Sequence, residues 1–212
     1  TLNQLGQNIT GLNNGDETGN TVSINDVGNT ISVVSWLYDD GGSNRGLCRI
    51  FQYTNSIWTQ LGANIIGDSN GNEFSSVYIS GDGTTIAIGS YGGNYCKVYK
   101  YITSSWTLLG SSILGETGEN NGSSVCINGD GTIVAIGARN YNTNIGRCRI
   151  FKYINSTWQQ IGQIDGLVSG DYNGFSVSIN NDGTIVATLG NNGMCRIFQY
   201  INSTWRQLGE TI

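Results

Sequence analysis

Three Asp-Gly pairs, Asp82-Gly83, Asp130-Gly131 and Asp182-Gly183, recur at nearly even spacing, each between two apolar runs. Carboxylates in short loops are the raw material of a calcium site, but calcium takes roughly 6 to 8 oxygens, usually from several acidic side chains set close together. In CINGDGT, residues 126 to 132, Asp130 is the one acid. These pairs read as turn chemistry, because Gly accepts positive φ and Asp tolerates it where a hairpin is tight. No metal site and no cofactor is expected.

A second set of reactive types does not repeat. Trp36, Tyr38, Asp39 and Asp40 stand close together, and Tyr91, Tyr95, Tyr141 and Tyr172 stand in other segments that differ between repeats. Aromatic rings beside carboxylates and amides can stack on a sugar or dock a peptide, since each ring offers a large area at low entropic cost. These eight are the candidate ligand-binding residues. Covalent and acid–base chemistry has less to work with. The chain has no His, which excludes Ser-His-Asp and Cys-His catalysis and removes the commonest transition-metal ligand. Two carboxylates alone can hydrolyse a glycoside, yet no acidic pair stands out, and the sequence predicts a protein that is not an enzyme.

The five cysteines point to packing. Cys48, Cys96, Cys148 and Cys195 occupy one equivalent place per repeat, and equivalent strands of neighbouring sheets lie beyond the roughly 7 Å Cα separation a disulfide can bridge. They read as small buried hydrophobes. Unpaired thiols suit a reducing compartment. Asn8, Asn121, Asn155 and Asn202 each begin an N-x-S/T sequon, glycosylated only in a secretory setting; Asn155 and Asn202 also fit ordinary turn chemistry.

The elements that must hold these residues are written as a repeat. Trp58, Trp106, Trp158 and Trp205 are 48, 52 and 47 residues apart, and the four cysteines keep the same three spacings. Four segments recur in each unit. Strand A alternates, as in TVSIN (21 to 25) and SVCIN (124 to 128); strand B is nearly continuously apolar, as in TIAIGS and TIVAIGA, and should be covered on both faces; strand C is CRIFQY, CKVYKY, CRIFKY and CRIFQY; strand D is WTQLGANI, WTLLGSSI, WQQIGQI and WRQLGETI. The absence of Pro suits ladder-paired strands. Four antiparallel strands per 40 to 50 residues is the signature of a propeller blade, so the expectation is one all-β domain over 1–212, a β-propeller of four repeats at about 10–58, 59–106, 107–158 and 159–205.

The repeat SVSIN-x-DGT-x-VAIGA, then G-x-C-R-I-F-x-Y and W-x-QLG-x-x-I, resembles that of FG-GAP-like propellers, over essentially the whole chain. The resemblance implies the fold and no activity, and it implies a surface or extracellular setting, against which the unpaired thiols argue. Some FG-GAP relatives carry an Asp-rich calcium loop between strands A and B; the loops here are too short and too neutral for it.

Composition narrows the partners. With 12% charged residues, a formal charge of −5 and a pI near 4.5, the field repels phosphate backbones and anionic lipid. No apolar run approaches the roughly 20 residues of a membrane span, and the opening TLNQLGQNIT lacks the pattern of a signal peptide. Neither nucleic acid nor membrane insertion is expected. Binding should sit where the repeats differ, on the D-to-A and B-to-C connections, which carry ten of the fifteen acids. The function expected is that of a non-enzymatic structural or interaction module meeting a protein or a glycan there. The alternatives are a lectin-like module and a self-assembling ring or filament subunit.

That last alternative rests on the ends. TLNQLGQNI resembles strand D, and so does the C-terminal TWRQLGETI, leaving one D copy surplus. The chain is a slice of a longer array, or a four-bladed ring with one D strand displaced, or a homo-oligomer whose extra strand pairs with another subunit.

Overall fold

The structure, a computed structural model, describes residues 3–39 and 43–212. Their order is strand after strand, gathered into four antiparallel sheets. Blade 1 holds β1 (Thr18–Ile24), β2 (Thr30–Ser35), β3 (Leu47–Thr54) and β4 (Ile57–Gln60), whose chain returns to β3 as the short β5 (Ile65–Ile66). Blade 2 holds β6 (Phe74–Ile79), β7 (Thr85–Ser90), β8 (Tyr95–Ile102) and β9 (Ser105–Leu108), with the short β10 (Ile113–Leu114). Blade 3 holds β11 (Asn121–Ile127), β12 (Ile133–Ala138), β13 (Arg147–Ile154) and β14 (Thr157–Asp165); blade 4 holds β15 (Ser176–Ile179), β16 (Ile185–Leu189), β17 (Cys195–Ile201) and β18 (Thr204–Gln207). The expected four-stranded blades are all present. The one helical segment among the described residues, Tyr141–Asn144, is a single turn with left-handed φ at Asn142 and Thr143.

The alternation of strand A explains how blades stack. Val77 and Ile79 point back onto blade 1, and Val125 and Ile127 back onto blade 2, all 4% exposed or less. Strand B lies between two neighbours, so every residue of β7 and of β12 is buried. Three apolar clusters result, one between each successive pair of blades. Backbone hydrogen bonds near the hub reinforce the order, Asp26 N–H to Gly81 O at 3.1 Å and Asp82 N–H to Gly129 O at 3.2 Å. Blades 1 to 4 thus pack serially. Among the described residues, no strand packing of comparable extent joins blade 4 to blade 1.

Outer strands are tied across each interface by the repeated Trp. Its ring leans on a Tyr of its own strand C, as in Tyr101–Trp106 at 5.1 Å between centroids. In blades 2 and 3 its indole N–H donates to the preceding blade, Trp106 to Leu61 O at 2.8 Å and Trp158 to Leu109 O at 2.7 Å, whereas that of Trp205 is buried with no acceptor among the described residues. The repeated cation reaches the same neighbour. Lys97 pairs with Asp68, Arg149 donates to Leu114 O at 2.8 Å, and Arg196 donates to Asp165 O at 2.5 Å. The Asp-Gly pairs make turns in which Asp accepts from the Thr two residues on, Asp130 Oδ1 taking Thr132 N–H at 3.0 Å and its hydroxyl at 2.6 Å.

The repeated cysteines fill the gaps between sheets. Cys48, Cys96 and Cys148 have no exposed surface, and burial pushes each thiol up to about 12. Cys195 alone is half-buried. Since the thiolate is the reactive form, a disulfide reagent in dilute native protein at pH 8 is expected to modify Cys195 first and the others only after unfolding. Peptide mapping of the labelled thiols checks this.

Candidate functional site

The ends of strands A and B nearest the axis carry the residues that differ most in chemistry. The first residue after strand B is Trp36 in blade 1, Tyr91 in blade 2 and Arg139 in blade 3. The strand A starts supply Glu73, Ser75 and Ser123. These six line one cavity of about 360 Å³ at the hub, on the face where the variable connections emerge. Inner strands converge on the axis, so positions far apart in sequence become neighbours there.

Each side chain is held by its surroundings. The Arg139 guanidinium carbon sits 4.8 Å from the Tyr91 ring centroid and 5.7 Å from that of Phe175, a cation between two aromatic rings. No carboxylate lies within ion-pair distance of it among the described residues, so its charge is unspent. Glu73 is half-buried and positioned through its backbone, whose N–H donates to Asn44 O at 3.1 Å. Its Oε1 accepts a long 3.4 Å bond from Asn44 Nδ2. The Trp36 indole N–H is buried with no acceptor among the described residues. The hydroxyls of Ser75 and Ser123 donate to backbone carbonyls, Gly122 O at 3.0 Å and Gly137 O at 3.2 Å. The cavity therefore offers a carboxylate, a cation, an unused N–H donor and an aromatic wall.

Of the eight candidates from the sequence, Trp36 and Tyr91 reach this cavity. Tyr38 stays at the rim, half-buried, its carbonyl accepting from the N–H of Arg45 and of Gly46. Asp39 is exposed and accepts the Asn44 N–H at 2.5 Å. Asp40 lies outside the described residues. Tyr95 is corrected outright: it is 5% exposed, belongs to the core between blades 1 and 2, and donates its hydroxyl to Asn72 Oδ1 at 3.0 Å. Its place at the start of strand C turns the ring inward. Tyr141 lies under the Arg147 guanidinium at 3.8 Å, in a separate depression with Glu116 and Glu119. Tyr172 is half-buried with φ 51° in the blade 4 connection. The sequence did not single out Ser75, Ser123 or Arg139, and it counted Glu73 only among the acids of the face. The available signal was the position directly after the constant strand B, which changes from Trp to Tyr to Arg. Among the described residues, no group of three or more His, Cys, Asp and Glu could hold a metal ion.

No family model matches the chain, and no curated protein sequence does. Solved structures do. A periplasmic gluconolactonase from Pseudomonas aeruginosa superimposes with a TM-score of 0.65 at 14% identity, over 90% of this chain and 56% of its own. Provisionally named 6-phosphogluconolactonases from Bacteroides fragilis and Bacteroides uniformis give 0.64 and 0.63, at 13% and 11% identity, over 91% and 90% of this chain and 54% and 53% of theirs. The chain is an arc of a β-propeller. It spans about half the length of the structures it matches.

These neighbours correct the functional expectation. The reading as a non-enzymatic structural or interaction module, with its lectin-like alternative, is corrected: these three propellers are named as lactonases. The expectation rested on the missing His. Losing imidazole removes one kind of base, whereas carboxylates also serve as general bases, and Glu73 stands in the hub. The neighbours also place the fold beside lactonase-type propellers, not with the FG-GAP repeats in particular.

Proposed function

We propose that the hub cavity binds a small polyhydroxylated lactone and hydrolyses its ester bond. One observation carries the reading: a carboxylate and a cation, Glu73 and Arg139, line the same cavity with no ion pair between them or to others among the described residues. The volume, about 360 Å³, suits a single sugar-sized ring. The names of the similar structures supply the substrate class.

In this mechanism the Glu73 carboxylate accepts a proton from a water, and the water oxygen forms a bond to the lactone carbonyl carbon. Negative charge gathers on the former carbonyl oxygen, where the Arg139 guanidinium and the Trp36 N–H stabilise it. The ring C–O bond then breaks, and the leaving oxygen takes the proton from Glu73 as a hydroxyl. The product is an open hydroxy acid and Glu73 returns to its starting charge. Tyr91 gives the sugar ring a flat face while holding Arg139 in place. The expected partner is thereby narrowed from a protein or glycan to a small sugar-derived ester. A kinship with FG-GAP propellers rests on the repeat pattern alone and carries no part of this reading.

The test is hydrolysis of δ-gluconolactone and of its 6-phosphate, followed by acid release at constant pH. Turnover above the buffer rate is expected, and Glu73→Gln is expected to lower kcat by about 10²- to 10⁴-fold. Equal rates for the wild type and Glu73→Gln, or no turnover of either lactone, would overturn the assignment.

A further inference from the structure

The serial packing leaves two blade faces without a neighbour, and repeat equivalence says what each is built to receive. On blade 1, Val22 and Ile24 hold the positions of Val77 and Ile79, of Val125 and Ile127, and of Val177 and Ile179. Those six are 1–9% exposed, whereas Val22 is 63% and Ile24 57% exposed. Gly19 adopts the same φ of 91° as Gly122, but a Cβ on Gly122 would run into Gly89 and Tyr95 O of the preceding blade, whereas one on Gly19 would meet nothing within 4 Å. On blade 4 the opposite face is the open one. Cys195 and Ile197 are half-buried where Cys48, Cys96, Cys148, Ile50, Val98 and Ile150 are 0–1% exposed. The surfaces that join blade to blade inside the chain are thus each present once more, unmated, at its two ends.

The outer part of the blade 1 face is not bare. Residues 3–10, the surplus D copy, form no strand and lie there as the tail of the preceding blade does at the inner interfaces. Trp58 donates its indole N–H to Leu5 O at 2.9 Å, as Trp106 does to Leu61. Arg49 donates to Thr10 O at 2.5 Å, as Arg149 does to Leu114. Gly6 packs against Trp58 as Gly62 does against Trp106. At the other end the matching tail of blade 4 pairs with its own sheet through Cys195 and Ile212, and its Gly209 faces open space. Gln7 adds two bonds, accepting from Trp58 N–H at 3.0 Å and donating to Trp58 O at 2.7 Å, and a carboxylate in its place cannot reproduce the second. Glu210 stands in its place in the C-terminal tail.

We propose that the open face of blade 1 is the docking site for blade 4 of a second copy of this chain, so that two four-blade arcs close one ring, and that residues 3–10 are a displaceable plug in the outer part of that face. The contact is heterologous, blade 4 onto blade 1, and such a contact closes when its rotation divides the circle. Four blades make up about half of each similar structure, since the match covers 53–56% of those chains. Two arcs bring eight blades together, inside the usual range for propellers. The face of blade 4 carries Leu189 where blades 2 and 3 have Gly89 and Gly137. Val34, at the same position in blade 1, shows that a branched side chain there takes a blade on top of it, for it is fully buried beneath blade 2. The occupant is a blade face and not an exchanged strand, because each D tail stays with its own chain. The proposal does not depend on the lactonase reading.

Sedimentation velocity of the full chain over a concentration series tests it. The wild type is expected to pass reversibly from one chain to two. Val22→Asp with Ile24→Asp is expected to leave only the single chain, with an unchanged melting profile because both side chains are exposed. Gln7→Ala, which loosens the plug and touches nothing in the C-terminal tail, is expected to tighten association about tenfold. Labelling of Cys195 is expected to slow as the two-chain species forms. A single chain for both wild type and Gln7→Ala at the highest soluble concentration, open-ended polymers, or association indifferent to the double Asp variant would each overturn the proposal.

Discussion

Glu119→Ala is expected to destabilise the protein by about 3–5 kcal/mol, the range for stripping one partner from a buried ion pair. Glu119 is 2% exposed and holds two guanidinium groups, pairing with Arg147 and, at 3.2 Å, with Arg149. Arg147 is 4% exposed and also reaches Glu116 at 2.9 Å; Arg149 donates to Asn121 Oδ1 at 2.7 Å. Removing the carboxylate leaves two cations buried side by side with Glu116, itself largely exposed, as the nearest anion. The remaining bonds to Leu114 O and Asn121 satisfy donors without neutralising charge. Thermal unfolding checks the size, with a fall in melting temperature of roughly 6–20 °C for a chain of this length. Glu119→Gln keeps the shape and loses the charge, so it should fall between. If Ala and Gln are both within about 1 kcal/mol of the wild type, the network is a surface pair in all but position.

Gly137→Ala is expected to cost about 3 kcal/mol or more, at or above the upper end for overpacking a well-packed core. Gly137 sits in β12 with no unusual φ, so the backbone itself would accept Ala. The obstacle is the next blade: a Cβ there would lie 2.0 Å from Gly174 O and 2.4 Å from Ser124 Oγ. A carbonyl fixed in the backbone cannot rotate aside as a side chain can, so blades 3 and 4 must part. Gly89 makes the equivalent approach to Gly122 O at 2.1 Å. The loss is read by denaturant titration, and limited proteolysis that releases blade 4 first would localise it. A stability within about 0.5 kcal/mol of the wild type would show that the interface yields without strain.

The two variants test different joints of one design. Polar staples such as Glu119 tie loops to strand C at the outer side, and glycines let strand B of one blade approach strand A of the next near the hub. The repeated cation crosses all three inner interfaces, and the glycine approach recurs at two of them, blades 2 to 3 and blades 3 to 4. That is why the open faces of blades 1 and 4 can be recognised without any partner being present.

The blade is legible in the amino-acid order. The spacing of Trp58, Trp106, Trp158 and Trp205, the alternation of SVYIS and SVCIN, and the Asp-Gly turns specify four strands and their order, because each signal is local and repeats. It also placed four of the cysteines as fillers between sheets, since a small apolar residue at one site per repeat has little else to do. Which residues meet follows from the folding of the blades around an axis. Trp36, Glu73, Tyr91, Ser123 and Arg139 come from three blades and converge because inner strands meet at an axis, a distance no sequence spacing encodes. Tyr95 was lost from the candidate site for the same reason: its neighbours in sequence are loop residues, while its neighbours in space are the apolar side chains between blades 1 and 2. The repeat likewise left open whether the ring closes, because every blade has the same two faces. Only their exposure at Val22, Ile24, Cys195 and Ile197 shows that here it does not.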